Sequence, residues 1–367
     1  MRQKKILISL GHPAQYHFFK HTIKALNIQG HSVMVVIKTK DVLEQLLQED
    51  GLKYVNIQTK ERRNDKIHIL LASLQRSWKV IKLTYHFKPD ILLGTGNDVA
   101  HAGWLFRKPC ITTLEDDIQI IKNLTRLTYP FTTDILVPTC CNVGKYNNKK
   151  IGYAGYMKLA YLHPNEFTPD IQVLKRYGID QPYILIRLVK LTAHHDFGAK
   201  GLNSSLVKQL IHIAHSLGFK VYISSETNTH PDLNEYRLSI KVNEIHHIMA
   251  YASLLISDSQ SMSVEAAMLG IPNVRFNNFA EKISVLNELQ HKYQLTYGVK
   301  ADEPDVLKHI VSEWLSYEHL KEIFIHRREL LLSEKIDVTA FLTWFITNYP
   351  ESRNIMKSNP SYQFRFK

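Results

Sequence analysis

The sequence of 367 residues has few cysteines and no long hydrophobic run. Its three cysteines, Cys110, Cys140 and Cys141, are odd in number, and two of them are adjacent. No histidine lies at a metal-ligand spacing from them, so the pattern argues against a disulfide framework and a zinc site. It predicts free thiols in a reducing cytoplasm. No apolar run reaches the roughly 20 residues that a membrane-spanning helix needs, so none is predicted.

The chain is also short of acidic residues in its first half. Residues 1–160 hold 24 Lys and Arg against 12 Asp and Glu, whereas residues 161–367 hold 22 of each, so the net charge of +12 lies in the first half. A basic domain attracts anionic partners such as phosphates, nucleic acid or an anionic membrane surface. The plain alternative is a basic, solvated surface without a partner.

Hydrophobic and charged fractions of 44% and 22% indicate a globular protein, and its length favours two domains. Continuous Val, Ile and Leu runs alternate with helical patterns in both halves, which is typical of parallel sheets covered on both faces. The predicted strands are residues 6–10, 32–37, 53–57, 89–94, 110–114 and 135–137, then 183–187, 220–224, 254–258 and 272–276.

This pattern predicts an α/β protein with two Rossmann-like domains, residues 1–160 and 161–347, whose parallel sheets face each other across a cleft. Residues 306–347 have a helical pattern, and the tail, residues 348–367, is expected to pack back on the first domain. In open sheets of this kind, ligands bind beyond the carboxyl ends of the strands. The candidate residues are therefore sought in the segments that follow strands.

The segment after residue 258 carries the strongest signal. A strand is followed by a polar turn and the start of a helix, formed by Ser259, Gln260, Ser261 and Met262. Free N–H groups and the positive end of the helix dipole make such a turn a phosphate site. Glu265, about one turn into the helix, suits a ribose diol. The alternative is ordinary serine capping with an acidic first turn.

Other strand ends supply candidate catalytic groups. His12 follows the first strand and is a candidate base for an acceptor hydroxyl, the alternative being a turn histidine bonded to backbone. Asp98 follows two glycines after the fourth strand and is a candidate base or sugar ligand. The acids at 115–117 suit helix capping or a metal. Arg187 ends a strand of the second half and suits a diphosphate leaving group or a salt bridge between domains. Lys190 and the polar residues at 194–196 and 224–227 are weaker candidates.

The stretch from Ser263 to Pro272, with Glu265, Ala266, Leu269, Gly270 and Ile271 between them, resembles the donor-binding element of GT-B nucleotide-sugar enzymes. These include UDP-N-acetylglucosamine 2-epimerases and the peptidoglycan N-acetylglucosaminyltransferase. The resemblance implies that the turn binds the diphosphate, that Glu265 holds the ribose, that Ser224 lies near the nucleoside, and that Asp98 and Glu115 are acids of the reaction site. This chain has Ser259-Gln260-Ser261 where those enzymes usually have glycines, so side chains either crowd the pyrophosphate or supply hydroxyl donors.

A wider resemblance covers roughly residues 5–280. Several short segments are similar in order and spacing to a prokaryotic family of two-domain, GT-B-like proteins of unknown function. They are residues 11–17, 26–31, 94–97, 152–158, 161–162, 167–170 and 186–187, together with the Glu265 element. This similarity implies a GT-B architecture and a nucleotide sugar, with UDP as the nucleotide, as co-substrate. It implies neither a further cofactor nor a metal.

Two enzymatic functions remain open. One is a cytoplasmic glycosyltransferase of surface polysaccharide synthesis, with a glycan or polyprenyl-linked acceptor. In it the basic helix 64–86, with Lys66, Arg76, Lys79 and Lys82, rests on an anionic membrane. The other is an epimerase or hydrolase of the nucleotide sugar that uses Asp98 and Glu115. A nucleic-acid binder is disfavoured because no recognisable module of that kind is present.

Overall fold

The computed structural model describes residues 2–39, 42–58, 66–189, 201–225, 230–277 and 283–367. The chain forms two compact units. One contains Met1–Glu166 together with Lys335–Lys367, and the other contains Phe167–Glu334. The sequence-based limit at 347 differs from this division, because residues 335–347 pack with the first unit.

The first unit is built on a seven-stranded parallel sheet in the order β3-β2-β1-β4-β5-β6-β7. Its central strands are buried on both faces, as their unbroken apolar runs predict; Ile6, Leu92 and Ile111 are examples. The strands are β1 (Lys5–Leu10), β2 (Ser32–Lys38), β3 (Val55–Gln58), β4 (Ile91–Gly94), β5 (Cys110–Thr113), β6 (Asp134–Pro138) and β7 (Lys150–Tyr153).

Helices connect these strands. The longest described one before the second unit is α3, and its exposed face carries several aromatic and basic side chains. The helices are α1 (Pro13–Ile28), α2 (Leu43–Glu49), α3 (Lys66–Phe87), α4 (Asn97–Leu105), α5 (Lys122–Thr128) and α6 (Leu159–Leu162). The predicted start of α3 at residue 64 lies outside the described residues.

The second unit has a five-stranded parallel sheet in the order β12-β11-β10-β8-β9. Its strands are β8 (Tyr183–Leu188), β9 (Lys220–Ser225), β10 (Leu254–Ser257), β11 (Asn273–Phe276) and β12 (Tyr297–Val299). Its helices are α7 (Ile171–Arg176), α8 (Ser204–Ser216), α9 (Ile245–Tyr251), α10 (Gln260–Leu269), α11 (Ser284–Asn287), α12 (Pro304–Leu315) and α13 (Leu320–Glu334). Ile186, Val207 and Ile256 belong to one apolar core between sheet and helices.

The chain then returns to the first unit as α14 (Val338–Thr347) and α15 (Glu351–Ser358). The buried Asp134 carboxylate accepts hydrogen bonds from the Tyr349 hydroxyl and the Arg353 Nε, both at 2.8 Å. The Gln363 side chain accepts a hydrogen bond from the Ala154 amide at 2.6 Å. These bonds fasten residues 348–367 to the first sheet. No helix in the described ranges is long and apolar enough to cross a membrane.

Candidate functional site

The turn between β10 and α10 is held by serine hydroxyls. Ser259 is the N-cap of α10, and its Oγ accepts a hydrogen bond from the Met262 amide at 3.3 Å. The Ser259 amide donates to the Ser257 Oγ at 2.8 Å, and the Ser263 hydroxyl donates to the Ser259 carbonyl at 3.1 Å. The helix therefore begins at Gln260, within the segment expected to hold its start, and part of the hydroxyl set caps the helix. The N-terminal amides of α10 still provide the dipole end that suits an anion.

Glu265 lies one further turn along α10 and is 7% exposed. Its Oε2 is 3.5 Å from the Nε2 of His246, which is buried on α9. A buried carboxylate beside an imidazole is a strong hydrogen-bond acceptor, so it suits a diol. The sequence did not indicate His246 as its neighbour, because the two residues are 19 positions apart on separate helices.

Asp258 is a further buried acid at the end of β10. Its Oδ1 accepts a hydrogen bond from the Val189 amide at 2.9 Å, which ties it to the segment after β8. Burial raises the pKa of this carboxyl to about 6, although backbone N–H groups, including that of Leu202, and the Arg187 guanidinium oppose the shift. The sequence places this acid directly before Ser259, and that position is the signal that could have marked it as a site residue.

Arg187 and Ser224 lie side by side at the ends of adjacent strands. They are register partners in the β8–β9 pair, and the Arg187 Nη1 donates a hydrogen bond to the Ser224 Oγ at 2.7 Å. Strand β8 also neighbours β10, where Arg187 is opposite Ser257. The carboxyl edge of this sheet thus brings together a guanidinium, hydroxyls, a buried acid and a helix N-terminus. That combination suits a phosphate-bearing ligand.

In the first unit, His12 caps helix α1. Its Nδ1 accepts a hydrogen bond from the Ala14 amide at 3.2 Å. A neutral imidazole with Nδ1 used as an acceptor carries its proton on Nε2. Nε2 is then a donor, so this geometry favours the backbone-bonded turn histidine over the expected base.

Asp98 lies in the first turn of α4, after β4, and is 7% exposed. Its Oδ1 accepts a hydrogen bond from the Val99 amide at 3.0 Å. A Cβ at Gly96 would lie 2.2 Å from that oxygen, so the glycine is what allows the carboxylate to fold back over the turn. Strand β4 neighbours β1, so His12 and Asp98 follow adjacent strands of the first sheet.

Glu115 follows β5 and is engaged on both oxygens. Its Oε1 accepts a hydrogen bond from the Met157 amide and its Oε2 from the Lys158 Nζ, both at 2.6 Å. The neighbouring Asp117 is fully buried and accepts a hydrogen bond from the Asn142 amide at 2.7 Å. Both acids therefore join the end of β5 to later segments of the chain. Within the described ranges, no cluster of three or more His, Cys, Asp or Glu could hold a metal ion.

Some weaker candidates lie outside the described residues. They are Lys190, the residues at 194–196, and Glu226 and Thr227.

No protein-family model matches the sequence, and no curated protein matches it. Solved structures are similar to it. The S. aureus MnaA–UDP co-structure has 11% identity and a TM-score of 0.68, covering 95% of this chain and 98% of that one. A UDP-N-acetylglucosamine 2-epimerase from Rickettsia bellii has 14% identity and a TM-score of 0.64, covering 98% and 99%. The spinosyn forosaminyltransferase SpnP has 12% identity and a TM-score of 0.62, covering 92% and 97%.

At these identities the similarity concerns the fold. The chain has the GT-B-like fold, with two Rossmann-like units, that UDP-N-acetylglucosamine 2-epimerases and glycosyltransferases share. This agrees with the resemblance found in the sequence to GT-B-like proteins related to those enzymes. Both epimerases and glycosyltransferases are therefore represented among its structural neighbours.

Proposed function

We propose that the chain is a glycosyltransferase that moves a sugar from a UDP-sugar to a glycan or polyprenyl-linked acceptor in surface polysaccharide synthesis. The carrying observation is the start of α10, where a serine-capped helix N-terminus precedes the buried Glu265 carboxylate. The helix amides would receive the diphosphate and Glu265 the ribose hydroxyls. Ser224, beside Arg187 on the neighbouring strand, would approach the nucleoside.

Departure of the nucleoside diphosphate leaves negative charge on its phosphate oxygens. The positive end of the α10 dipole and the Arg187 guanidinium would stabilise that charge as the sugar bond breaks. Asp98 is the candidate that would take the proton of the acceptor hydroxyl, because His12 uses Nδ1 as an acceptor of a backbone hydrogen bond. In this proposal no metal and no further cofactor has a role.

A nucleotide-sugar 2-epimerase or hydrolase is the second candidate, because epimerases are among the similar structures. That activity would need Asp98 and Glu115 as acid and base. Glu115 is bound by Met157 and Lys158 on its two oxygens, which favours the transferase. Incubation of the pure protein with UDP-N-acetylglucosamine alone separates the two, since turnover without an acceptor supports the epimerase or hydrolase.

The donor site is tested by thermal shift with a panel of nucleotide sugars. A ligand that binds only the folded state raises the free energy of unfolding, by about 2.7 kcal/mol at a hundredfold excess over Kd. We expect a UDP-sugar to raise the Tm of the wild type, and Glu265→Gln to abolish that rise because the neutral amide is a weaker acceptor for a diol. Glu313→Gln, on the exposed part of α12, is the matched control and should keep the rise.

The Tm of each variant without ligand shows whether the fold survives. A folded Glu265→Gln protein with an undiminished shift would remove Glu265 from the donor site. The absence of a shift with every donor would count against the proposed function as a whole.

The proposal also includes a cytoplasmic, peripheral position at an anionic membrane, where polyprenyl-linked acceptors lie. The support is the charge of the first half, with 24 basic and 12 acidic residues in positions 1–160. An anionic surface attracts such a domain at short range. Nucleic acid has no part in the proposed function.

A further inference from the structure

Helices α3, α4 and α5 of the first unit present large apolar side chains to solvent. These side chains are Leu74, Trp78, Tyr85, Trp104 and Leu127, and each is between 53% and 69% exposed. Single exposed apolar residues are common on proteins, whereas several on neighbouring helices indicate a binding surface. We call this surface, with the loops that follow α4 and α5, the α3–α5 face.

Ring contacts link two of these side chains, Tyr85 and Trp104, to aromatic rings in the loops that follow α4 and α5. The Tyr85 ring lies 6.4 Å from that of Phe106, just after α4. The Trp104 ring lies 5.6 Å from that of Phe131, which follows α5, and His101 packs edge-on against the same ring. The aromatic groups therefore run from α3 across the end of α4 to the loop after α5.

The charge of this face has one sign. Helices α3 and α5 contain no Asp or Glu, and the single acid of α4, Asp98, is buried. The face and its loops carry cations that form no salt bridge with a described residue, namely Lys82, Arg107, Lys108, Lys122 and Arg126. Two copies of such a face would repel each other, whereas an anionic surface would attract it.

A cavity of about 750 Å³ opens within the face, at the edge of the sheet where β5 and β6 begin. Trp104 and Phe131 line it, together with Arg107, Lys108 and Lys149. Lys149 donates its Nζ hydrogens to the carbonyls of Tyr129, Pro130 and Thr132 at 2.8 to 3.0 Å, so these hydrogen bonds hold it in the wall of the cavity. Arg107 and Lys108 are the cations that remain available to a ligand.

We propose that the α3–α5 face docks on an anionic phospholipid bilayer, with a lipid phosphate headgroup in the cavity beside Arg107 and Lys108; this rests on the peripheral membrane position in the proposed function and assigns it a surface. Tryptophan and tyrosine rings favour the interface between headgroups and acyl chains, and flanking cations attract anionic lipids. The cavity lies at the amino edge of the first sheet, while Asp98 follows the carboxyl end of β4. Docking at this face therefore leaves that end of the sheet open to substrates.

Vesicle co-sedimentation of the full chain tests this docking. We expect binding to vesicles of phosphatidylglycerol and phosphatidylcholine in equal parts, loss of binding at high salt, and none to phosphatidylcholine alone. Arg107→Ala with Lys108→Ala should weaken binding about 25-fold, at roughly fivefold for each cation near an anionic membrane. Trp104→Glu, at a side chain 63% exposed, should weaken it without unfolding the protein.

Control variants in the second unit remove the same number of charges, or place an acid at an aromatic ring that is also more than half exposed. Lys175→Ala with Lys300→Ala, and Tyr317→Glu, should bind vesicles like the wild type. Equal binding by the face variants and the wild type would overturn the proposal. So would a lipid-free dimer that Trp104→Glu dissociates, since the face would then join two copies of the chain. Thermal shift with nucleotide sugars remains a separate readout, so failure of the donor site and failure of docking are distinguishable.

Discussion

Among individual residues, Asp258 is an acid whose ionisation depends on the fold of the second unit. Burial raises its pKa to about 6, above the usual value of about 4. The folded state therefore holds the proton more tightly than the unfolded state over that interval. The free energy of unfolding falls as pH rises from about 4 to about 6, by at most about 3 kcal/mol from this residue.

Chemical denaturation of the wild type and Asp258→Asn across this pH range measures the effect. Glu166 contributes a change of the same sign, because burial raises its pKa to about 7, but it does so in both proteins. The stability of the wild type relative to Asp258→Asn should therefore fall between pH 4 and pH 6. A difference that stays constant with pH would show that Asp258 ionises normally.

Single residues also show where sequence reasoning stops. The roles of Ser259 as a helix cap and of Arg187 at the end of a strand can be predicted from their positions along the chain alone. The partners of Glu265 and Glu115 do not, since His246 and Lys158 reach them from elements that are distant in sequence. For the same reason, the sequence marked Glu115 as an acid of the reaction site but did not reveal its ion pair with Lys158.

Among the elements, α10 shows how a helix end is fixed by its neighbour. Gly270 ends the helix at φ +71, and a Cβ there would lie 3.0 Å from the Arg328 side chain and 3.4 Å from the Ile325 backbone on α13. Gly218 follows α8 in the same unit at φ +83, and a Cβ there would meet no described residue within 4 Å. The two glycines share a left-handed backbone but differ in their surroundings.

Gly218→Ala should cost about 1 kcal/mol, because only the left-handed conformation is strained. Gly270→Ala should cost about 2 to 4 kcal/mol, because the methyl group also displaces α13. Urea unfolding of both variants gives the comparison. Equal losses of stability would mean that α13 yields to the methyl group without cost.

The strands were predicted from the sequence by their runs of apolar residues. The ten strands predicted from hydrophobic runs are present, with ends shifted by up to two residues. Strands β7 and β12 were not predicted, because β7 has the sequence Lys-Ile-Gly-Tyr and β12 spans only Tyr297–Val299. Their pairing with β6 and β11 defines them, and pairing is not a property of the local sequence.

At the scale of the whole molecule, the return of the chain to the first unit was only partly predictable. The tail was expected to pack back from residue 348, whereas the structure already includes residues 335–347 in that unit. A helical pattern over residues 306–347 shows that helices form but not which sheet they cover. Side chains of α14 decide this, since Phe341, Phe345 and Ile346 are fully buried with the first unit.

This division makes a prediction about truncation. Five side chains of α14, namely Val338, Phe341, Leu342, Phe345 and Ile346, are 0% exposed. At about 1.5 to 3 kcal/mol each, their burial contributes on the order of 10 kcal/mol, which is comparable with the whole stability of a domain. A chain ending at Glu334 should therefore lack a folded first unit.

A chain ending at Thr347 keeps α14 but loses Tyr349 and Arg353 from the buried Asp134, so it should fold with reduced stability. Limited proteolysis with amide-exchange mass spectrometry distinguishes the two, and protection of β1 and β4 in the shorter chain would show that α14 is dispensable for the first unit.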